Sequence, residues 1–194
     1  MKAFFVFLSL ISFVSVSAHA ESTFLAQKTI PVNSTKSNEV IDRTLADMKM
    51  VFQKFDLALD SQTKIVKEKE VTGSASRPIM TVSVRKCIAF ICETMDLEAA
   101  VDAREVSGKC NRDFVITANL ARSSDKIREI YDRLEVNVCY KASADGKGSL
   151  LLVGYAHHAP TYNDGFIQNE IFKLLQLQVT PLVKAVQETL KAKD

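Results

Sequence analysis

The sequence predicts an α+β fold, a curved antiparallel sheet of about seven strands wrapped around a long C-terminal helix. Three observations predict it. Across residues 64–158, successive short runs carry apolar residues at every second position, which is the period of half-buried strands. Beyond Pro160 the period lengthens to that of a helix and stays there to the end of the chain. The turns between the runs are short, so neighbouring strands pair as an antiparallel meander with one apolar face, and the final helix is the only element long enough to cover it.

Residues 1–20 read as an address. Met1-Lys2 is a short positive start, the run to Val16 is apolar apart from its serines, and Ala18-His19-Ala20 puts small residues where a signal peptidase reads. That run is shorter than the roughly 20 residues that span a bilayer. The expectation is a cleaved secretory signal, Glu21 as mature N-terminus, export to a periplasmic or extracellular space, and no stable membrane insertion after cleavage. Residues 21–194 are expected to form a single domain.

Residues 23–32 should be extended, with Ser34, Thr35 and Ser37 as candidate caps for a following helix. Ile41, Leu45, Met48, Phe52 and Phe55 fall on one helical face, and the pattern fades near Asp60. Residues 64–71 are rich in lysine and glutamate, which suits an edge strand that must resist pairing with other chains. After a turn at Gly73-Ser74-Ala75-Ser76, Met80, Val82 and Val84 face one way and Thr81, Ser83 and Arg85 the other. Leu97, Ala99, Val101 and Ala103 repeat the pattern, as do Phe114, Ile116, Ala118 and Leu120 after a connection at Ser107-Gly108-Lys109. Residues 123–133 are polar and read either as a long turn or as a brief helix. Leu134, Val136, Val138 and Tyr140 alternate again, a hairpin turn follows at 144–148, and residues 149–158 form the last strand. Asn163 or Asp164 can cap the final helix, whose stripe is Ile167, Ile171, Leu174, Leu175, Leu182, Val186 and Leu190. Pro181 should kink or restart it, with Thr180 as the new cap.

The formal net charge is +2, from 25 basic and 23 acidic residues, too balanced for the electrostatic footprint of a nucleic-acid-binding protein. The four cysteines, Cys87, Cys92, Cys110 and Cys139, are an even set in an exported chain and suggest two disulfides. Three connectivities are possible. The expected one joins Cys87 to Cys92 around a small loop and Cys110 to Cys139 across neighbouring strands. The spacing is not that of a metal site, and neither metal nor cofactor is expected. Asn33-Ser34-Thr35 is a glycosylation sequon that matters only in a eukaryotic host.

The stretch Thr29-Ile30-Pro31-Val32-Asn33-Ser34, followed by Asn38-Glu39-Val40-Ile41 and Leu45-Ala46-Asp47-Met48, resembles the opening of the START/polyketide-cyclase-like (SRPBCC, helix-grip) superfamily. Met48 stands where that superfamily often has an aromatic residue, and Ile41 where it often has Trp or Tyr. The order of elements agrees over nearly the whole mature chain. The resemblance implies a hydrophobic or amphipathic small molecule, such as a lipid, held between sheet and helix.

Such a wall would draw on Val101, Phe114, Ile116, Val136, Val138, Leu152, Ile171, Leu174 and Leu175, with Tyr140 or Tyr155 orienting a polar end. Small residues at inward positions, Ala99, Ala103 and Ala118, would leave room. A binding cavity is expected to need roughly 300 Å³ or more. His157 and His158 end the last strand, where adjacent residues point to opposite faces, so one of them at most could meet a ligand; both are read mainly as rim residues. Arg85, Asp102 and Arg104 read as a solvated charge ladder, and Asp47 as a local backbone cap. No phosphate loop, dinucleotide fingerprint or nucleophile elbow is present. Three functions follow in order: an exported carrier or binder of a hydrophobic ligand, a solidly packed envelope module that binds protein, and a cyclase- or hydrolase-like enzyme using a cavity histidine.

Overall fold

A computed structural model describes residues 22–33, 37–103, 109–120, 122–143, 145, 147–158 and 165–193. The strands are β1 (Ser22–Val32), β2 (Thr63–Gly73), β3 (Pro78–Ile88), β4 (Ile91–Ala103), β5 (Arg112–Asn119), β6 (Tyr131–Ala142) and β7 (Gly148–His158). The helices are α1 (Ser37–Leu45), α2 (Met48–Lys54), α3 (Asp125–Ile130), α4 (Gly165–Leu177) and α5 (Val179–Lys193). The expected signal segment, the caps at Ser34, Thr35, Asn163 and Asp164, residue Arg104, the turn at Ser107-Gly108 and the hairpin residues Ala144 and Gly146 lie outside the described residues.

All seven strands form one antiparallel sheet in the order β1-β7-β6-β5-β4-β3-β2. This is the meander expected, closed at one edge by β1 on β7. The charged strand β2 is the opposite edge, as its lysines and glutamates imply. The α1–α2 pair carries the chain from one edge of the sheet to the other. Residues from β1, β3, β5, β6 and β7 share a buried cluster with Leu182, Ala185, Val186 and Leu190 of α5, so strands from both halves of the sheet close on the same helix. This is the helix-grip arrangement.

Two helical expectations need correction. The first helix is not continuous: it breaks at Ala46-Asp47 into α1 and α2. Asp47 occupies the N-cap position of α2, yet its carboxylate makes no capping bond there. The break lets the apolar faces of both pieces, Val40 and Ile41 on one and Met48, Val51 and Phe52 on the other, reach the core. The C-terminal helix also breaks, at Gln178 rather than at Thr180. Proline has no N–H to give the carbonyl four residues earlier, so Pro181 interrupts the helix one turn before itself and then sits in the first turn of α5, where a missing donor costs little. The polar stretch after β5 does contain a brief helix, α3, packed by Ile127 and Ile130.

Both disulfides of the expected pairing are present, Cys87–Cys92 and Cys110–Cys139. The first staples the β3–β4 hairpin, where the two residues are register partners. The second ties the start of β5 to β6. Tyr140 is completely buried beside Gly148. A Cβ at residue 148 would come within 2.6 Å of the Tyr140 hydroxyl and 2.7 Å of the Lys141 carbonyl oxygen. Gly148→Ala is therefore expected to destabilise the protein by about 1–3 kcal/mol through overpacking. Thermal denaturation checks this, and an unchanged Tm would mean that the ring has room to withdraw.

Candidate functional site

Between the sheet and the helices lies a cavity of about 90 Å³. Its floor is cut into the sheet by a row of register partners: Met80 faces Ala99, Ala99 faces Ala118, and Ala118 faces Leu134. Two adjacent alanines where the flanking rows carry Val82–Leu97 and Ile116–Val136 leave a hollow that neighbouring side chains do not fill. The helices supply Phe52 from α2, Leu175 from α4, and Val179 and Leu182 from α5; Phe55 and Leu57 come from the segment after α2, and Leu25 from β1.

Gln178 is the one polar side chain among the described residues of this wall. It stands in the break between α4 and α5, in the stripe position between Leu174 and Leu182. Its Oε1 accepts from the Ala58 N–H at 3.1 Å, and its Nε2 donates to the Ala58 carbonyl at 2.7 Å and the Leu174 carbonyl at 2.9 Å. One amide thus clasps the backbone of the segment 55–62, which roofs the cavity. That segment is pinned at its far end by Asp60, whose carboxylate receives Lys86 Nζ at 2.6 Å, Thr63 Oγ1 at 2.6 Å and the Gln62 N–H at 3.0 Å. Sequence reasoning passed over Gln178. The available signal was a polar residue interrupting an otherwise apolar helical stripe.

Of the expected wall residues, Ile116, Val136 and Leu175 line the cavity, together with the alanines Ala99 and Ala118. Val138, Tyr140 and Leu152 pack into the solid half of the core around α5, and Ile171 and Leu174 into a second solid cluster around α4. Val101 and Phe114 face a wider depression at the other end of the sheet, whose rim includes the exposed Arg77, Ile79 and Asp102. That depression, which also takes Leu45 of α1, has a charged border and opens to solvent. Tyr155 is the clearest correction. It alternates with the inward residues Gly154 and Ala156, lies on the outer face, and meets the Phe24 ring edge-on at 6.1 Å. The cavity over Ala99 and Ala118 is smaller than the expected volume of roughly 300 Å³.

The histidines split across the faces, as strand geometry requires. His157 lies beside Glu135, with Nε2 at 3.2 Å from Oε2 but poorly aligned for a hydrogen bond. His158 points inward at the end of the sheet, held by Thr23 Oγ1 and by Gln168 Nε2, the latter at 2.7 Å from its Nδ1. Its ring packs 5.0 Å from that of Tyr131, whose phenol burial pushes up to about 12. Neither histidine lines the cavity, and no acid, base or nucleophile is found among the described residues of its wall. No described set of His, Cys, Asp or Glu could hold a metal ion, and no described helix is long and apolar enough to cross a membrane.

No family model matches the chain, and no curated protein matches it. Several solved structures align along most of its length. TTHA0849 from Thermus thermophilus is 13% identical over 89% of this chain and 98% of that one, with a TM-score of 0.44. The ZhuI aromatase/cyclase from Streptomyces sp. R1128 is 12% identical over 89% and 94%, with a TM-score of 0.47. Ara h 8.0201 is 11% identical over 87% and 99%, with a TM-score of 0.42. The seven-stranded antiparallel sheet and the closing helices are the helix-grip architecture that the sequence predicts. A function has to come from this chain's own residues.

Proposed function

We propose that the chain is an exported single-domain protein that holds a hydrophobic small molecule, or the apolar part of an amphipathic one such as a lipid, between its sheet and C-terminal helices. The observation that carries this reading is the apolar cavity over Ala99 and Ala118. As it stands, the space has the volume of about three water molecules and suits a single ring or a short alkyl end. A longer guest would have to lift the roof, which is held by the Gln178 clasp on Ala58, by Lys69 on the Phe55 carbonyl and by the Asp60 cluster at its far end. Binding would draw on apolar area taken from water, at about 25 cal/mol per Å², less the cost of ordering the guest. Export is supported by the N-terminal segment and by the two disulfides. Among the described residues the wall offers no acid, base or nucleophile, which favours carriage or sensing over turnover.

The small volume favours one second reading, a nearly solid core whose surface binds protein. One experiment separates the two. The protein is stripped of lipid and titrated with N-phenyl-1-naphthylamine, and native mass spectrometry is run on unstripped material. Saturable fluorescence that falls at least about tenfold in affinity in Ala118→Phe, where the ring occupies the hollow, supports the carrier reading. Absence of both probe binding and any retained small molecule in the wild type would sink it and leave the second reading.

A further inference from the structure

The β3–β4 hairpin ends in a two-residue turn, Ala89-Phe90, between the paired residues Ile88 and Ile91. Ala89 has φ 53°, the left-handed value that the first central position of a tight hairpin turn demands and that glycine usually supplies. Phe90 is 101% exposed, so its ring touches nothing, and Ile91 is 43% exposed. The Cys87–Cys92 disulfide closes the loop directly beneath. A rigid turn that holds out a bare aromatic ring beside a half-exposed Ile91 presents apolar area that an apolar medium can bury at no cost in reordering the loop.

The surroundings indicate which medium. Lys64 and Arg85 are register partners on β2 and β3, both exposed, with Arg85 three residues down the strand from Ile88 and close enough to Glu93 to act on its charge. The acidic groups nearest the stem, Asp60 and Glu93, are each already bonded to a lysine, Lys86 and Lys126. A convex apolar tip with basic flanks is complementary to an anionic bilayer, whose headgroups attract the bases while its acyl boundary takes the ring. The stem is also bonded to the cavity roof. Cys87 N–H donates to the Gln62 carbonyl at 3.0 Å, Lys86 holds Asp60, and the same segment carries the exposed Leu59 and the cavity residues Phe55 and Leu57.

We propose that residues 88–91 are a membrane-docking tip that inserts Phe90 into the surface of an anionic bilayer. The use of such docking, collection or delivery of an apolar cargo, rests on the carrier reading; the docking itself does not. The test uses the chain from Glu21, which holds every described strand and helix, and vesicles of phosphatidylcholine with or without phosphatidylglycerol. The wild type should sediment with the mixed vesicles, and Phe90→Ser should bind at least about tenfold more weakly. Lys64→Glu with Arg85→Glu should abolish the preference for phosphatidylglycerol. Phe24→Ser, which removes an exposed ring on the opposite edge strand, should change nothing. No sedimentation of the wild type, or equal binding by Phe90→Ser, would overturn the proposal. So would a concentration-dependent dimer in analytical ultracentrifugation that Phe90→Ser dissolves without changing vesicle binding, since the tip would then serve self-association. Ala118→Phe separates the two readings: retained docking with lost probe binding supports both, and a wild type that docks but never binds probe sinks only the carrier.

Discussion

Asp60→Ala is expected to destabilise the protein by about 3 kcal/mol, enough to lower Tm by about 6–12 °C in a domain of this size. The cause is the partner left behind. The Lys86 side chain is 1% exposed and Asp60 is the carboxylate that meets it, at 2.6 Å. Removing Asp60 leaves a buried ammonium with a lost ion pair, and frees the Thr63 hydroxyl and the Gln62 N–H from the same acceptor. Lys86→Met in the same protein should recover much of the loss, because an apolar chain of similar length needs no partner. Failure of that rescue would show that the penalty lies in the segment 55–62 itself. The pair also sets an acid limit. Burial pushes the Asp60 carboxyl up, but hydrogen bonds from Lys86, Thr63 and the Gln62 backbone, with the Lys86 charge, hold it below its ordinary 3.8. A carboxyl lowered in the folded state stabilises above its ordinary value and loses that contribution as pH falls through the lowered one. The wild type should therefore lose stability below about pH 3.8 more steeply than Asp60→Ala, as urea melts across that range would register.

Removing the Cys110–Cys139 disulfide, as Cys110→Ser with Cys139→Ser, is expected to cost about 3–4 kcal/mol. The bridge closes a separation of 29 residues, against 5 for Cys87–Cys92. Loop-closure entropy rises with the logarithm of that length, so loss of the short bridge should cost nearer about 2 kcal/mol. The native contacts around the longer bridge do not depend on it. Asn111 N–H still reaches the Tyr140 carbonyl at 2.7 Å, and Asn111 Oδ1 still accepts from Ala142 N–H at 2.8 Å. The loss should therefore act mainly through a looser unfolded chain, and appear as a larger urea m-value together with a lower midpoint. Equal costs for the two bridges would overturn the entropic account.

Much of the fold was legible along the chain because each strand is half-buried and so writes its facing into alternate residues. Met80, Val82 and Val84, or Leu134, Val136 and Val138, read correctly as one face, and the lysines and glutamates of β2 marked an edge. The two helix breaks were less legible. Periodicity continues through Ala46-Asp47 because both pieces bury the same face, and the break before Pro181 follows from a bond missing one turn upstream.

The site was read less well than the fold, for a geometric reason. Ile116, Val136, Val138 and Leu152 are equivalent in a linear pattern, but only the first two sit over the hollow, because only there do two alanines meet across a strand pair. Tyr155 falls one residue off the inward register of Leu152, Gly154 and Ala156, a facing that a nearly continuous apolar run does not display. Alternation of residue type along the chain decides which elements form and which side of each is buried, since these depend on neighbours a few residues apart. The cavity, its glutamine clasp and the buried Lys86–Asp60 pair depend on registers and crossings between distant segments. Those become definite only when β1 closes on β7 and the helices are laid across the sheet.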